Sequence, residues 1–235
     1  MCITFIVPCF NAEKFILNTN TKLVEFLKRN RINYKIFYIN DGSKDKTLFQ
    51  LEKISSNKVK IFNNYKNLGK SKTIINTLKF VETEKVVLID CDLPYFSSLK
   101  RIITSLKNNH LVMISRNLDK SNNIEKQFYF YSYARKFISN ILGIIIEKKL
   151  NLNTFGDTQA GLKAFKMVRG IKKFKFLSKY YFFDVELISF FRKRKLNIKL
   201  VPANYKISQK SSIKLLSYKN FEILNEFIRV LLRKY

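Results

Sequence analysis

The sequence predicts one α/β domain over residues 1–235, a mostly parallel central sheet flanked by helices. Three observations carry this. Short branched apolar runs alternate with stretches of helical periodicity, the pattern of βα units. The run Val86-Val87-Leu88-Ile89 is apolar throughout rather than alternating, as a strand buried on both faces is. A chain of 235 residues with 46% hydrophobic content suffices for one sizeable core, and it carries no internal repeat or low-complexity linker.

Ile3 to Val7, stopped by Pro8, is the first expected strand. Phe15, Ile16, Thr19, Leu23, Phe26 and Leu27 then recur at helical spacing. Ile36 to Ile39 is a second strand, ending in Asn40-Asp41-Gly42-Ser43, followed by a helix over Thr47 to Ile54 and a third strand over Val59 to Phe62. Asn67-Leu68-Gly69-Lys70 is a glycine turn leading into a helix that carries Ile74, Ile75, Leu78 and Val81. The fourth strand is the apolar run at 86–89. Leu99 to Leu106 reads as helix, and Leu111 to Ile114 as a fifth strand stopped at Ser115-Arg116. Beyond it, Ser121 to Glu147 reads as a long aromatic-rich helical segment and Phe182 to Arg194 as a helix. Ile198 to Tyr205 reads as a strand whose Pro202 places it at a sheet edge. The tail, with Phe221, Leu224, Ile228, Leu231 and Leu232, is an amphipathic basic helix.

Right-handed crossovers put the carboxyl ends of parallel strands on one edge, where open α/β sheets bind ligands. Pro8, Asn11, Asp41, Asp92 and Arg116 each follow an apolar strand, so this topology gathers them around one crevice. Asp90-Cys91-Asp92 leaves the fourth strand with two carboxylates one residue apart. At about 4 Å and an effective dielectric of about 20 they repel by roughly 4 kcal/mol. Such a pair takes up a proton or recruits a cation. The sharper reading is a divalent metal carrying a diphosphate; the plainer one is an Asp-rich turn.

The net charge of +28 and pI of about 10.0 point to an anionic partner: a nucleotide diphosphate, an anionic lipid surface or nucleic acid. Enrichment in Lys, Asn, Ile and Phe together is also what drift in an AT-rich genome produces. Lysines spread over the whole chain without a recognition motif argue against nucleic acid. Cys2, Cys9 and Cys91 lack metal-ligand spacing and are too few for a disulfide framework, which favours a reducing cytosol. The single histidine, His110, argues against His-based metal sites and Ser-His catalysis. No run reaches the roughly 20 apolar residues that span a bilayer. No secretory signal is apparent, and Phe137 to Ile146 is too short to cross, so a cytoplasmic protein peripheral to the membrane is expected.

Four motifs in order, spread over residues 3 to about 208, resemble the family 2 glycosyltransferases of GT-A fold. Val7-Pro8-Cys9-Phe10-Asn11 is similar to the family's V-P-x-Y-N. Asn40-Asp41-Gly42-Ser43-Lys44-Asp45-Lys46-Thr47 is similar to D-D-G-S-x-D-x-T, with Asn in place of the first Asp. Asn67-Leu68-Gly69-Lys70 and the metal motif Asp90-Cys91-Asp92 follow. In the second half, Ser115-Arg116, Arg135 with Ser139, Asp157-Thr158-Gln159-Ala160-Gly161-Leu162-Lys163 and Phe183-Asp184-Val185-Glu186 resemble the polyprenyl (dolichyl) phosphate sugar synthases, the glucosyl branch somewhat more than the mannosyl. Two departures stand out. Pro94 occupies the position where the family often has a metal-contacting Gln, and the opening motif runs Asn11-Ala12-Glu13 rather than Asn-Glu.

The resemblance implies a nucleotide-binding half at 1–116 and an acceptor-binding half at 117–235. It implies an inverting transfer of a hexose from a nucleotide sugar to a polyprenyl phosphate at the membrane surface. Mg²⁺ or Mn²⁺ on Asp90 and Asp92 would stabilise the departing diphosphate. Pro8, Phe10, Asn11, Asp41, Lys70, Asp90 and Gln159 are the implied donor contacts. A phosphate monoester, with its second pKa near about 6, arrives mostly ionised and needs cationic clamps rather than a base. Arg116, Arg135 and Lys163, with Ser139, are the candidates. Asp92, Asp157, Arg116 and Arg135 form the implied catalytic set, and Asp184 would contact sugar hydroxyls or orient the arginines. Were the acceptor a saccharide or lipid hydroxyl, Asp157 would be the leading base. The segment around 128–146 and the basic tail are the candidate membrane contacts.

Overall fold

The structure is a computed structural model describing residues 2–115, 148, 160–202 and 218–233. Its strands are β1 (Cys2–Cys9), β2 (Asn33–Asp41), β3 (Val59–Asn64), β4 (Lys85–Ile89), β5 (Leu111–Ser115), β6 (Leu162–Lys166) and β7 (Ile198–Pro202). Its helices are α1 (Ile16–Arg29), α2 (Thr47–Lys53), α3 (Lys70–Leu78), α4 (Leu99–Ser105), α5 (Phe183–Lys193) and α6 (Tyr218–Leu232), with a 3₁₀ turn at Phe96–Ser98. The seven strands form one sheet in the order β3-β2-β1-β4-β6-β5-β7.

β4 is buried along its whole length, and its side chains alternate between two cores. Val87 and Ile89 face Phe5, Val7, Leu23, Leu27 and Ile102. Val86 and Leu88 face Ile6, Ile74, Leu78, Phe165 and Phe191 on the opposite side. This period-two split explains why a central strand reads as a continuous apolar run. Each such side chain contributes about 1.5–3 kcal/mol when fully buried. α1 follows the expected spacing, burying Ile16, Thr19, Leu23 and Leu27. Its end is closed by the Asn30 amide, which donates to the Phe26 carbonyl at 2.8 Å.

β1 pairs in parallel with β2 and β4, and β2 with β3, so the ends of these strands share one edge. β6 was not foreseen. It runs antiparallel between β4 and β5, with Ile89 opposite Leu162. Its beginning, rather than its end, therefore lies at the carboxyl edge of β4. Local pattern hides it, because Leu162, Lys163, Ala164 and Phe165 are all buried and show no polar alternation. β7 is the edge strand that Pro202 implied, and ends there. The tail helix docks on the core through Phe227 and Val230, leaving Leu224, Ile228 and Leu232 exposed. Among the described residues no helix is long and apolar enough to cross a membrane. The long segment expected over 121–147 lies outside the described residues.

Candidate active site

At the carboxyl edge of β1 and β2 the motif residues bond chiefly to one another. Asn11, in the left-handed region at φ 50°, donates its backbone N–H to the Ser43 hydroxyl, while its side-chain oxygen accepts from the Lys44 N–H, both at 2.9 Å. The Glu13 N–H donates to Asp45, and the Lys46 N–H donates back to the Glu13 carboxylate. Thr47 accepts from the Ala12 N–H at 2.7 Å and donates to Asp45. Glu13, one residue beyond the expected position, is thus one side of a reciprocal brace between two loops. Burial alone would push the Asp45 carboxyl up, but the Thr47 hydroxyl and the N–H groups of Glu13 and Thr47 outweigh it and hold it below its ordinary value.

Asp41, the last residue of β2 and the expected nucleobase contact, is bonded within the protein. It is 3% exposed. Its carboxylate accepts from the N–H groups of Leu68 (2.8 Å) and Gly69 (3.0 Å), the Thr73 hydroxyl (2.7 Å) and the Asn64 amide (3.0 Å). It fastens the glycine turn to the sheet and fixes where α3 begins. Gly69 has φ +93°, and a Cβ there would meet the Lys179 carbonyl at 2.5 Å, so the turn demands glycine. The N–H groups of Ser71 and Lys72, the open donors of the first turn of α3, are taken by the carbonyls of Tyr180 and Lys179.

What α3 does present to the site is the Lys70 side chain. A cavity of about 190 Å³ opens beside β4, lined among others by Pro8, Lys70, Asp90, Lys163, Tyr181 and Asp184. Two ion pairs cross it. Lys70 Nζ lies 2.5 Å from Asp90 Oδ1, with both side chains partly exposed at 40% and 28%. Lys163 Nζ lies 2.8 Å from Asp184 Oδ1, with the lysine 3% exposed and also donating to the Ala160 carbonyl. Desolvation drives the Lys163 ammonium below its ordinary pKa despite Asp184. At Lys70 desolvation acts in the same sense, but Asp90 outweighs it and the net shift is upward. Lys163, expected as a phosphate clamp, is thus in the cavity wall as the buried partner of Asp184. Gly161 explains itself here: an ideal Cβ would sit 1.8 Å from Asp90 Oδ2. The antiparallel β6 brings this glycine against the carboxylate.

Asp92 is exposed and follows on the same strand exit, and its field also reaches Lys70. No group of three or more His, Cys, Asp or Glu side chains converges among the described residues. Two hard carboxylates fit Mg²⁺ or Mn²⁺, which bind through one or two carboxylates and complete their shell with substrate phosphates and water. Pro8 lines the cavity, Phe10 is exposed beside it in sequence, and Asn11 acts as the loop brace. Arg116, Arg135, Ser139, Asp157 and Gln159 lie outside the described residues.

Comparison with known proteins decides the family. The sequence profile of Glycosyl transferase family 2 matches residues 4–169. The chain belongs to that family. This glycosyltransferase is 27% identical to dolichyl-phosphate beta-glucosyltransferase ALG5D of Trichomonas vaginalis, over 91% of its own length and 68% of that protein. To the human dolichyl-phosphate beta-glucosyltransferase it is 24% identical, over 86% and 67%. It spans about half the length of two other relatives, the uncharacterized glycosyltransferase sll0501 of Synechocystis (52%) and the putative glycosyltransferase CsbB of Bacillus subtilis (47%). The crystal structure of Mycobacterium tuberculosis glucosyl-3-phosphoglycerate synthase with Mg²⁺ and uridine diphosphate superposes with a TM-score of 0.67 at 15% identity, over 98% of this chain and 79% of that one. The shared architecture is the GT-A fold.

The transferase holds its cavity wall through two carboxylates that sequence reasoning did not assign to the site. Glu186 of α5 is fully buried and accepts from the N–H groups of Leu177 and Ser178 and from Arg233. Burial pushes its carboxyl up, and these donors only partly offset that. Glu226 of α6 accepts from the Ser178 hydroxyl (2.5 Å) and the N–H groups of Tyr180, Tyr181 and Phe182. Each pairing with Glu226 spans more than forty residues, so no local pattern announces it. Its spacing, three residues after Ile223 and four before Val230 on the apolar face of the tail helix, marks the position but not its partners.

Proposed function

We propose that this family 2 glycosyltransferase is an inverting, metal-dependent hexosyltransferase. It moves a hexose from a nucleotide sugar of the UDP-glucose or GDP-mannose type to a polyprenyl or dolichyl phosphate. The observation that carries the reading is Asp90 facing the β4 cavity from the strand exit it shares with exposed Asp92, with the Lys70 ammonium beside it. The two dolichyl-phosphate glucosyltransferase relatives support the acceptor class. A cavity of about 190 Å³ suits a diphosphate or a hexose, and is smaller than the roughly 300–1,000 Å³ of sites for drug-sized ligands.

When bound, a divalent cation supplies Lewis-acid stabilisation of the departing diphosphate, held by Asp90 and Asp92. Pro8 and Phe10 wall the nucleobase, Gln159 contacts the donor, and Asp41 supports the site indirectly by fixing α3. Lys70 meets the phosphates. The acceptor phosphate arrives ionised, so Arg116, Arg135 and Ser139 bind and aim it, and Lys163 orders Asp184 toward the sugar. No base is required for that acceptor. The protein works at the cytoplasmic face of the membrane, where its +28 charge favours anionic lipid.

The test supplies radiolabelled UDP-glucose or GDP-mannose with Mn²⁺ and polyprenyl-phosphate vesicles. Label should enter the organic phase as an acid-labile lipid phosphate, and Asp92→Asn should abolish it. Label found only in alkali-stable oligosaccharide would replace this acceptor with a saccharide or lipid hydroxyl, and would make Asp157 the base.

A further inference from the structure

We infer that Lys70 is a placeholder cation, occupying on Asp90 the position of the divalent ion and making metal binding conditional on the diphosphate. The inference rests on the metal-dependent reading above and adds the order of binding.

Lys70 Nζ stands 2.5 Å from Asp90 Oδ1, a carboxylate oxygen at the cavity that a hard cation would take. The other oxygen of the same carboxylate is the one packed over Gly161, at 1.8 Å from where a Cβ would be. The free approach to Asp90 is therefore the approach the ammonium fills. An ammonium on that oxygen competes with a divalent ion for it, since the two cations repel in a partly desolvated site.

The structure also shows that the ammonium can leave it. The backbone of Lys70 is pinned as the first residue of α3, with Ser71 and Lys72 bonded to the carbonyls of Tyr180 and Lys179 and the preceding turn bonded to Asp41. Its side chain is a flexible four-carbon stem with three rotatable donors. Side-chain exposure of 40% leaves it room to swing. Its neighbour across the cavity differs: Lys163 is 3% exposed and bonded to both Asp184 and the Ala160 carbonyl, so it stays. A nucleotide diphosphate brings a second set of anionic oxygens into the cavity. The ammonium transfers to those oxygens, and Asp90 is released to the metal that arrives with the nucleotide. Without a diphosphate, the other carboxylates that act on Lys70, Asp184 and Asp92, do so more weakly than Asp90. The pairing then neutralises Asp90 in the absence of the metal and lessens its repulsion with Asp92.

The experiment is Mn²⁺ binding followed by electron paramagnetic resonance on the full chain, with and without UDP or GDP, independent of turnover. Lys70→Met without nucleotide should bind Mn²⁺ at least tenfold more tightly than the parent. Lys70→Arg, which keeps a cation on Asp90, should bind no more tightly than the parent. Lys72→Met removes the same charge from the exposed side of the same helix turn, and should change affinity less than threefold. Added nucleotide should raise the parent's Mn²⁺ affinity by a larger factor than that of Lys70→Met. If Lys70→Met gains nothing, or gains no more than Lys72→Met, the placeholder role is wrong while the metal reading stands. If the parent takes up no Mn²⁺ sensitive to Asp92→Asn even with either nucleotide, the metal reading fails and this inference with it. Should Lys70→Met prove unfolded by circular dichroism, Lys70→Gln carries the same expectation.

Discussion

Asp41 and Asp90 leave the carboxyl ends of β2 and β4, the two strands that flank β1, and both resemble motif aspartates of one family. Their surroundings differ in kind. Asp41 is met by four donors fixed to the backbone or to short side chains and is almost wholly buried. Asp90 is met by one long lysine and an open cavity. The same contrast separates Asp45, Glu186 and Glu226, which accept backbone N–H groups, from Asp184, which pairs with a lysine. A carboxylate bonded to amides is part of the fold, because the amides cannot leave. A carboxylate bonded to a partly exposed lysine can exchange partners, and Asp90 is such a carboxylate at the cavity.

The strongest way to break this comparison is to delete one carboxylate of each kind. Asp41→Ala strands four donors in a nearly closed site and should cost about 4 kcal/mol of stability, read from the urea midpoint. Asp90→Asn should leave that midpoint within about 1 kcal/mol, since a partly exposed ion pair contributes little, and yet abolish Asp92-sensitive Mn²⁺ binding. Equal losses of stability from the two would erase the distinction.

Gly161→Ala acts on the exchangeable carboxylate without touching its charge. The added Cβ cannot coexist with Asp90 Oδ2 at 1.8 Å, so the carboxylate must turn away. A displacement of about 1 Å at a reacting centre costs on the order of 100-fold in rate. Stability should change little, because the atom displaced is the end of a side chain rather than backbone. A variant with full activity would mean that Asp90 has no fixed position to lose.

Glu226→Gln probes the fixed class at the cavity wall. Losing the charge weakens four accepting contacts at once, and should cost about 1–2 kcal/mol. The informative readout is local: amide exchange at Tyr180, Tyr181 and Phe182 should accelerate more than exchange in β1 or β2. Uniform acceleration would mean that α6 supports the whole fold rather than this wall.

These four positions also show what the sequence could and could not convey. The apolar runs at 3–7, 36–39, 59–62, 86–89 and 111–114 all became strands, since burial on both faces leaves a composition that needs no partner to interpret. Asp90 was legible because a pair of acids at a strand end is costly without a cation. Asp41 and Asn11 were legible as important, while their bonds within the protein were not, because a motif reports that a residue type is required, not which neighbours it meets. β6 was missed, since an antiparallel insertion with a buried lysine, Lys163, looks like a polar loop until Asp184 arrives from α5. Glu186 and Glu226 were illegible as clamps for the same reason: their partners are amides, which every residue but proline carries.

The smallest effect separates two members of the fixed class by the sign of their pH dependence. The Asp45 carboxyl is held below its ordinary value, burial being outweighed by the Thr47 hydroxyl and two N–H groups. Its contribution is therefore complete above the ordinary aspartate value of about 4, and is lost as pH falls through the lower folded value. The Glu186 carboxyl is pushed up by burial beyond what its amide donors and Arg233 restore. The folded protein then holds that proton more tightly than the unfolded chain, and stability declines as pH rises from about 4.3 toward the raised value. Urea unfolding between pH 3 and 7 should show Asp45→Asn flattening the acid limb, where the parent loses stability. Glu186→Gln should instead cost less at neutral pH than at pH 4. Variants that altered the same limb in the same direction would show that burial does not distinguish these two carboxylates, though both accept from backbone amides.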